Sequence, residues 1–208
     1  FIRVTLTICA TLLLSSCKPD PEPTPESWSV VADISNAALL AVHGTSADDV
    51  WIVGADDGKG PVVLHYNGTE WTRRETGVRG DMWWVRAFDD GVVFMAGSDS
   101  LVLRYQNGVF ERLKTPGLGK TVLFGIWGIT SDDIYAVGAN AGRNGFVWHH
   151  NGTEWTNLPL PNDIDLDSFN DLPALTKVWG ATSDDIWVVG GRGTLLRGNR
   201  TDGFTRIP

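Results

Sequence analysis

The residues of this chain best suited to chemistry are acids that come in pairs. Asp48-Asp49, Asp132-Asp133 and Asp184-Asp185 each stand in a short polar stretch between two apolar runs. Paired carboxylates can move protons or hold a divalent cation. Catalysis needs a single constellation, however, and the same pair at three places marks three equivalent turns instead. Asp side chains accept backbone N–H bonds in tight turns, which is sufficient reason for them. Histidines come next. His65 and His149 occupy the same place in two copies of one pattern, His150 aligns with Tyr66, and His43 stands where Trp127 and Trp179 stand. No metal-ligand spacing accompanies them, so they read as strand residues that pack much as an aromatic would, and no zinc site is expected.

Two other groups stand out because they are not repeated. Asp163, Asp165 and Asp167 alternate as the ligands of calcium loops do, which makes them the calcium candidate. An EF-hand match fails, since Ser168 takes the glycine place and Ala174 the place of the bidentate acid, and a solvated acidic loop is the competing reading. Trp83, Trp84 and Arg86, with Arg79 nearby, form the candidate ligand-binding site, where an indole would stack on a sugar ring. Neighbouring strand residues point to opposite faces, so the two indoles are not expected to share one environment, and packing between sheets competes for both.

The elements that must position these residues are written several times over. KVWGATSDDIWVVG (Lys177 to Gly190) recurs as GIWGITSDDIYAVG (Gly125 to Gly138) and AVHGTSADDVWIVG (Ala41 to Gly54), with a worn copy, VRAFDDGVVFMAG, from Val85 to Gly97. The closing glycines Gly54, Gly97, Gly138 and Gly190 lie 43, 41 and 52 residues apart, the last gap being widened by the insertion Leu158 to Thr176. After two copies, LHYNGTEW (Leu64 to Trp71) and WHHNGTEW (Trp148 to Trp155) match each other. Asn-Gly between β-rich runs predicts a type I′ hairpin turn. The unit is therefore four short antiparallel strands of ~40–50 residues, the period of a β-propeller blade. Near-continuous apolar runs in the second strands predict burial on both faces.

The pattern G-x-x-x-D-D-[VI]-[WY]-x-V-G, followed by a hydrophobic residue and H-x-N-G-T-x-W, resembles the DVWAVG-type, BNR- or kelch-like repeats of secreted bacterial propellers. The likeness runs from Trp28 to the end of the chain, and it implies a fold without implying a ligand. The fold class expected is all-β, a propeller of four-stranded antiparallel blades with four blades visible. Trp28 lies 14 residues before Val42, as Trp71 lies before Val85, so it takes the outer-strand place of a preceding blade. Five outer strands then face four inner sets, and the expectation is that the natural chain continues beyond Pro208 into a larger ring.

Residues 1–17 carry an address. Arg3 supplies a positive charge, Val4 to Leu14 an apolar stretch too short to span a bilayer, and Leu14-Ser15-Ser16-Cys17 resembles a lipobox, which implies a lipid on Cys17. Lys18 follows that cysteine where an Asp would hint at the inner membrane, so the same resemblance implies the outer membrane instead. Residues 18–27, KPDPEPTPES, place a proline at every second position and predict an extended tether roughly 30 Å long. Residues 28–208 form the repeat domain. Cys9 lies in the part to be removed, so no disulfide is available and packing must supply the stability.

With 17 Lys and Arg against 25 Asp and Glu, a net charge of −8, the chain has no basic face for nucleic acid and no polybasic patch for lipid headgroups. The function expected is a non-catalytic, lipid-anchored module of the cell envelope that binds protein or glycan through loops on one face. Two alternatives stay open, a structural envelope component and a glycosidase or lyase of the propeller kind. A glycosidase needs two carboxylates ~5–10 Å apart on a common pocket, and unrepeated acids such as Asp81 and Asp171 around one pocket with an arginine would supply it.

Overall fold

The computed structural model describes residues 30, 36–117, 119–141, 144–160 and 172–208. Among them sixteen strands form four four-stranded antiparallel sheets, each a simple meander. Blade 1 comprises β1 (Leu39–Ser46), β2 (Asp49–Asp56), β3 (Pro61–Tyr66) and β4 (Trp71–Arg73), and blade 2 comprises β5 (Met82–Ala87), β6 (Val93–Gly97), β7 (Val102–Gln106) and β8 (Val109–Arg112). Blade 3 holds β9 (Val122–Thr130), β10 (Asp133–Ala139), β11 (Gly145–His150) and β12 (Trp155–Asn157). Blade 4 holds β13 (Leu175–Thr182), β14 (Asp185–Gly190), β15 (Leu195–Asn199) and β16 (Gly203–Arg206). The only helical element among them is a 3-10 turn at Gly191–Gly193. The chain is an all-β propeller of four-stranded blades, as its repeats predict. The signal segment, the tether with Cys17, Trp28 and the calcium candidate Asp163, Asp165 and Asp167 lie outside the described residues.

The blades share one register. Trp51, Phe94, Tyr135 and Trp187 in the second strands pair inward with His43, Arg86, Trp127 and Trp179, and outward with His65, Arg104, His149 and Arg197. The closing glycine of each repeat has a cause in this register. In every blade the inner strand bulges by one residue opposite it, at Leu40, Trp83, Phe124 or Thr176, and a bulge bends the strand. The backbone just before the bulge lies so close that a Cβ on Gly97 would stand 1.8 Å from the Asp81 carbonyl oxygen, and one on Gly138 1.9 Å from that of Val122. Only glycine fits there.

A sheet with two apolar faces cannot hide both alone, so each blade stacks on its neighbours. Three apolar cores result. Trp51, Val53 and Val63 of blade 1 pack on Met82, Val85, Val93 and Met95 of blade 2. Phe94, Ala96 and Val102 meet Leu123, Ile126, Ile134 and Trp155 of blade 3, and Tyr135, Val137 and Val147 meet Leu175, Val178, Ile186 and Val188 of blade 4. Each blade thus has a leading face, turned to the next blade, and a trailing face, turned to the previous one.

Two expectations need correction. Burial of the second strand on both faces holds for β6 and β10. In β2 the trailing residues Val50 and Ile52 are half-buried, and in β14 the leading residues Trp187 and Val189 are half-buried and exposed, because no described blade covers those sides. The Asn-Gly pairs of blades 1 and 3 do not make type I′ turns. Gly68 and Gly152 both have φ of 88°, but Asn67 and Asn151 do not enter the left-handed region. Each asparagine instead turns its Oδ1 inward to accept two backbone N–H bonds, at 3.0 Å each, in a four-residue loop. The two-residue turn belongs to the worn blade, where Asn107 (φ 51°) and Gly108 (φ 84°) are both left-handed between the paired Gln106 and Val109.

Candidate functional site

Meander order gives the stack two unlike ends. One, the repeat end, carries the turns between first and second strands and between third and fourth strands. The other, the loop end, carries the second-to-third loops and the connections from blade to blade.

At the repeat end the paired acids divide their work. In blades 1 and 3 the first acid of the pair lies beneath the Asn-Gly loop: a Cβ on Gly68 would come within 2.9 Å of the Asp48 Cβ, and one on Gly152 within 2.8 Å of that of Asp132. The second acid reaches across two strands. Asp49 accepts hydrogen bonds from Thr45 Oγ1 (2.6 Å), Trp51 Nε1 (3.1 Å) and His65 Nε2 (2.8 Å). Asp133 is bonded to His149 Nε2 at 2.6 Å and faces Arg200 Nη1 at 3.4 Å, and Asp185 accepts from Arg197 Nε at 2.7 Å. Burial raises the carboxyl pKa of Asp49 and Asp133, but the hydrogen bonds outweigh it: those from Thr45, His65 and Trp51 hold Asp49 below the usual range, and Ser183 and His149 do so for Asp133. The histidines therefore do more than pack. His65 also stacks on Trp51 with ring centroids 4.0 Å apart. Further bonds cross between blades, from Ser131 Oγ to Asp90 (2.5 Å) and from Tyr135 OH to the Ser183 carbonyl (3.3 Å). The second acid of each pair and the two histidines are thus spent on the fold.

The structure does not bring Trp83, Trp84 and Arg86 into one site. Trp83 is the bulge residue of β5, lies at the loop end, is 37 % exposed and donates from Nε1 to Ser98 Oγ at 3.2 Å. Its ring meets Phe124 edge-on at 6.2 Å. Trp84 is half-buried beneath the Lys177 ammonium, 3.7 Å from the ring centroid, which crosses from blade 4 and also donates to the Phe124 carbonyl. Arg86 is engaged between blades: Nη1 meets His43 Nε2 at 2.7 Å and Nη2 donates to the Gly128 carbonyl at 2.9 Å. Burial lowers the pKa of both Arg86 and His43, and the arginine's charge lowers the histidine further.

At the loop end the acids of the first loop are also engaged. Asp56 accepts from the backbone N–H of Gly58 (2.8 Å), Gly60 (3.0 Å) and Gly80 (3.0 Å), Asp57 pairs with Arg73 (2.5 Å), and Asp81 accepts the Asp56 N–H (2.9 Å). Asp81 thus braces a loop, and Asp171 lies outside the described residues. Among the described residues no three His, Cys, Asp or Glu side chains gather where they would hold one metal ion. The same end holds a cavity of about 550 Å³ between blade 3 and the connection that leads into it from blade 2, lined by Pro116, Lys120, Thr121, Asn140, Trp148 and Asn157 among others. Its floor is apolar, with Phe146 stacked on Trp148 at 4.2 Å, and its rim carries two amides and an ammonium. Nothing in the sequence marks this cavity, because its residues come from four separate segments that share no motif.

No protein-family model matches the chain, and no curated protein does. Solved structures share its fold. YCF48 from Cyanidioschyzon merolae superposes with a TM-score of 0.60 at 17 % identity, over 87 % of this chain and 59 % of its own. A structural-genomics protein of unknown function from Bacteroides thetaiotaomicron matches with a TM-score of 0.51 at 13 % identity, over 81 % of this chain and 42 % of its own. The extracellular domain of a one-component system from the same organism matches at 0.51 and 11 %, over 82 % and 25 %. These likenesses show a propeller fold alone. The chain spans about three fifths of the length of the first and less than half of the other two.

Proposed function

We propose that this chain is a non-catalytic binding module: a propeller that belongs to the cell envelope, hung from the outer membrane by a lipid on Cys17 and a proline-rich tether, which takes a glycan or protein through its loop end. One observation carries the reading. The two ends differ in what they offer a ligand: the repeat end bonds His65, His149 and the second acid of each pair internally, whereas the loop end keeps a solvent-facing Trp83 and an amide-rimmed cavity. Loops of unequal length on one face of a repeat fold are where binding groups sit. An envelope location is in keeping with the extracellular domain among the structural neighbours. The calcium candidate Asp163, Asp165 and Asp167 belongs to this proposal only as a support for the insertion loop, and a calcium titration followed by calorimetry tests it.

The test is a glycan array and an envelope pull-down with the soluble chain, repeated with Trp83→Ala and with Asn140→Ala plus Asn157→Ala. Loss of an aromatic anchor in a binding site costs ~2 kcal/mol or more, about 30-fold in affinity. Binding that survives both loop-end variants but is lost on substituting repeat-end residues would overturn the reading. So would turnover of a glycoside substrate. Anchoring is read by metabolic labelling with a fatty acid: label is expected on the chain and absent from Cys17→Ser.

A further inference from the structure

Blades 1 and 2 carry an arginine at the same place in their outer strands. Arg73 of β4 pairs with Leu64, and Arg112 of β8 pairs with Leu103, the residue that answers to Leu64 in blade 2. In blade 1 the arginine is neutralised twice: Arg73 Nη1 and Nη2 hold the two oxygens of Asp57 at 2.5 and 3.0 Å, and Nε meets Glu75 at 3.1 Å. Blade 2 keeps the arginine and loses both acids. The loop that carries Asp57 runs over seven residues, 55–61, between Gly54 and Val62, whereas its counterpart between Gly97 and Leu101 has three, 98–100. Lys114 stands where Glu75 does, two residues past the arginine. Neighbouring Glu111 is held by Arg104 at 2.7 Å. Among the described residues neither Arg112 nor Lys114 has a carboxylate within ion-pair distance, and both are exposed. A cavity of about 490 Å³ opens at this spot, lined by Asp99 and Ser100 of the short loop and by Arg112, Lys114 and Pro116. It shares Pro116 and Gly117 with the amide-rimmed cavity of the loop end.

We propose that Arg112 and Lys114 form a subsite for the carboxylate of an acidic sugar, which takes the part that Asp57 plays for Arg73. The subsite rests on the loop-end reading above and names the class of its ligand. A guanidinium presents paired N–H donors that match a carboxylate bidentately, as the Arg73–Asp57 pair does in this same chain. An arginine kept without its internal acids leaves that fork open to a carboxylate from outside, and Lys114 adds a second positive charge. Asp99 opposes them, but one acid against two cations leaves this cavity positive within a chain of net charge −8. A sugar is favoured over an acidic peptide because the cavity runs into one rimmed by Asn140 and Asn157, whose amides both donate and accept as sugar hydroxyls require. Asn157, paired with Trp148, holds in blade 3 the register place that Arg112 holds in blade 2.

The test is calorimetry on the full chain with Cys17→Ser, titrated with polygalacturonate, with its methyl ester and with polyglutamate. Polygalacturonate is expected to bind more weakly as salt is added, and the uncharged ester to bind ~10-fold more weakly than the acid or worse. Arg112→Gln is expected to weaken the acid by ~10-fold or more and to leave the ester unchanged. Lys114→Glu returns to blade 2 the acid that blade 1 has at this place, and is expected to abolish binding although Arg112 is intact. Both positions are exposed, so thermal unfolding of the variants matches the parent. Equal affinity for acid and ester, a parent-like Arg112→Gln, or no binding of polygalacturonate overturns the subsite, and so does a preference for polyglutamate. Failure of the wider loop-end reading looks different: glycans or proteins bind, yet Trp83→Ala and the paired asparagine variant leave their affinity unchanged.

Discussion

His150 is expected to weaken this fold in mild acid. Its ring is 2 % exposed, lies 5.6 Å from Phe94 of the preceding blade and 5.0 Å from Trp155, and accepts the Gly152 N–H on Nδ1 at 3.2 Å. Burial, with the charge of Arg104 and the proximity of His149 added, pushes its pKa down to about 4. In the unfolded chain the same ring titrates near 6.5. Between those two values the unfolded chain binds the proton and the folded one does not, so stability falls as pH falls. At ~1.4 kcal/mol per pH unit of separation, the loss reaches about 2 kcal/mol at pH 5 and about 3 kcal/mol at pH 4. His150→Phe keeps an aromatic ring among aromatic neighbours and cannot be protonated. At pH 7 it is expected to stay within ~1 kcal/mol of the parent, the worth of the lost hydrogen bond to Gly152. Urea unfolding of both chains at pH 7, 6, 5 and 4 gives the difference directly. His43, also lowered by burial, contributes to the same limb in both chains and cancels, while the depressed aspartates Asp49 and Asp133 lose their contribution only at lower pH, as pH falls through their folded values. Parallel curves for the two chains between pH 6.5 and 4 would refute the reasoning.

Other outcomes follow from the same geometry. Asp133→Asn removes the charge that faces His149, Ser183 and Arg200 and is expected to cost ~1–3 kcal/mol in thermal unfolding, whereas Asp132→Asn, at an exposed turn, stays within ~0.5 kcal/mol. Gly97→Ala drives a methyl into the Asp81 carbonyl, a backbone atom that cannot swing aside, and is expected to cost ~2 kcal/mol or more by urea unfolding. Trp83→Ala, by contrast, leaves stability nearly unchanged and is read in ligand binding, the separation expected of a residue that is 37 % exposed and engaged only at its edge.

How much of this was legible beforehand depends on the reach of each signal. The repeat and the four-stranded blade architecture follow from apolar runs, turn residues and period, which act over a few neighbours in the chain. The same local grammar misjudged the Asn-Gly loops, because Asn67 and Asn151 satisfy two backbone donors with a side chain where a type I′ turn would have used left-handed backbone. It also read His65 and His149 as mere packing, although the acid each one bonds was in plain view 16 residues earlier. Strand pairing had to set Asp49 beside His65 before the partnership had meaning.

Sequence alone determined that four similar sheets would form and where each would turn, since hydrogen-bond ladders and hairpins are made among residues close along the chain. Tertiary structure decided the rest: that the closing glycines make room for a bulged inner strand, that Trp83 faces solvent while Arg86 is clamped between His43 and Gly128, and that Arg73 is held by Asp57 while Arg112, at the same register place, meets no carboxylate among the described residues. Those outcomes turn on which surfaces meet, and identical residues in successive blades meet different surroundings.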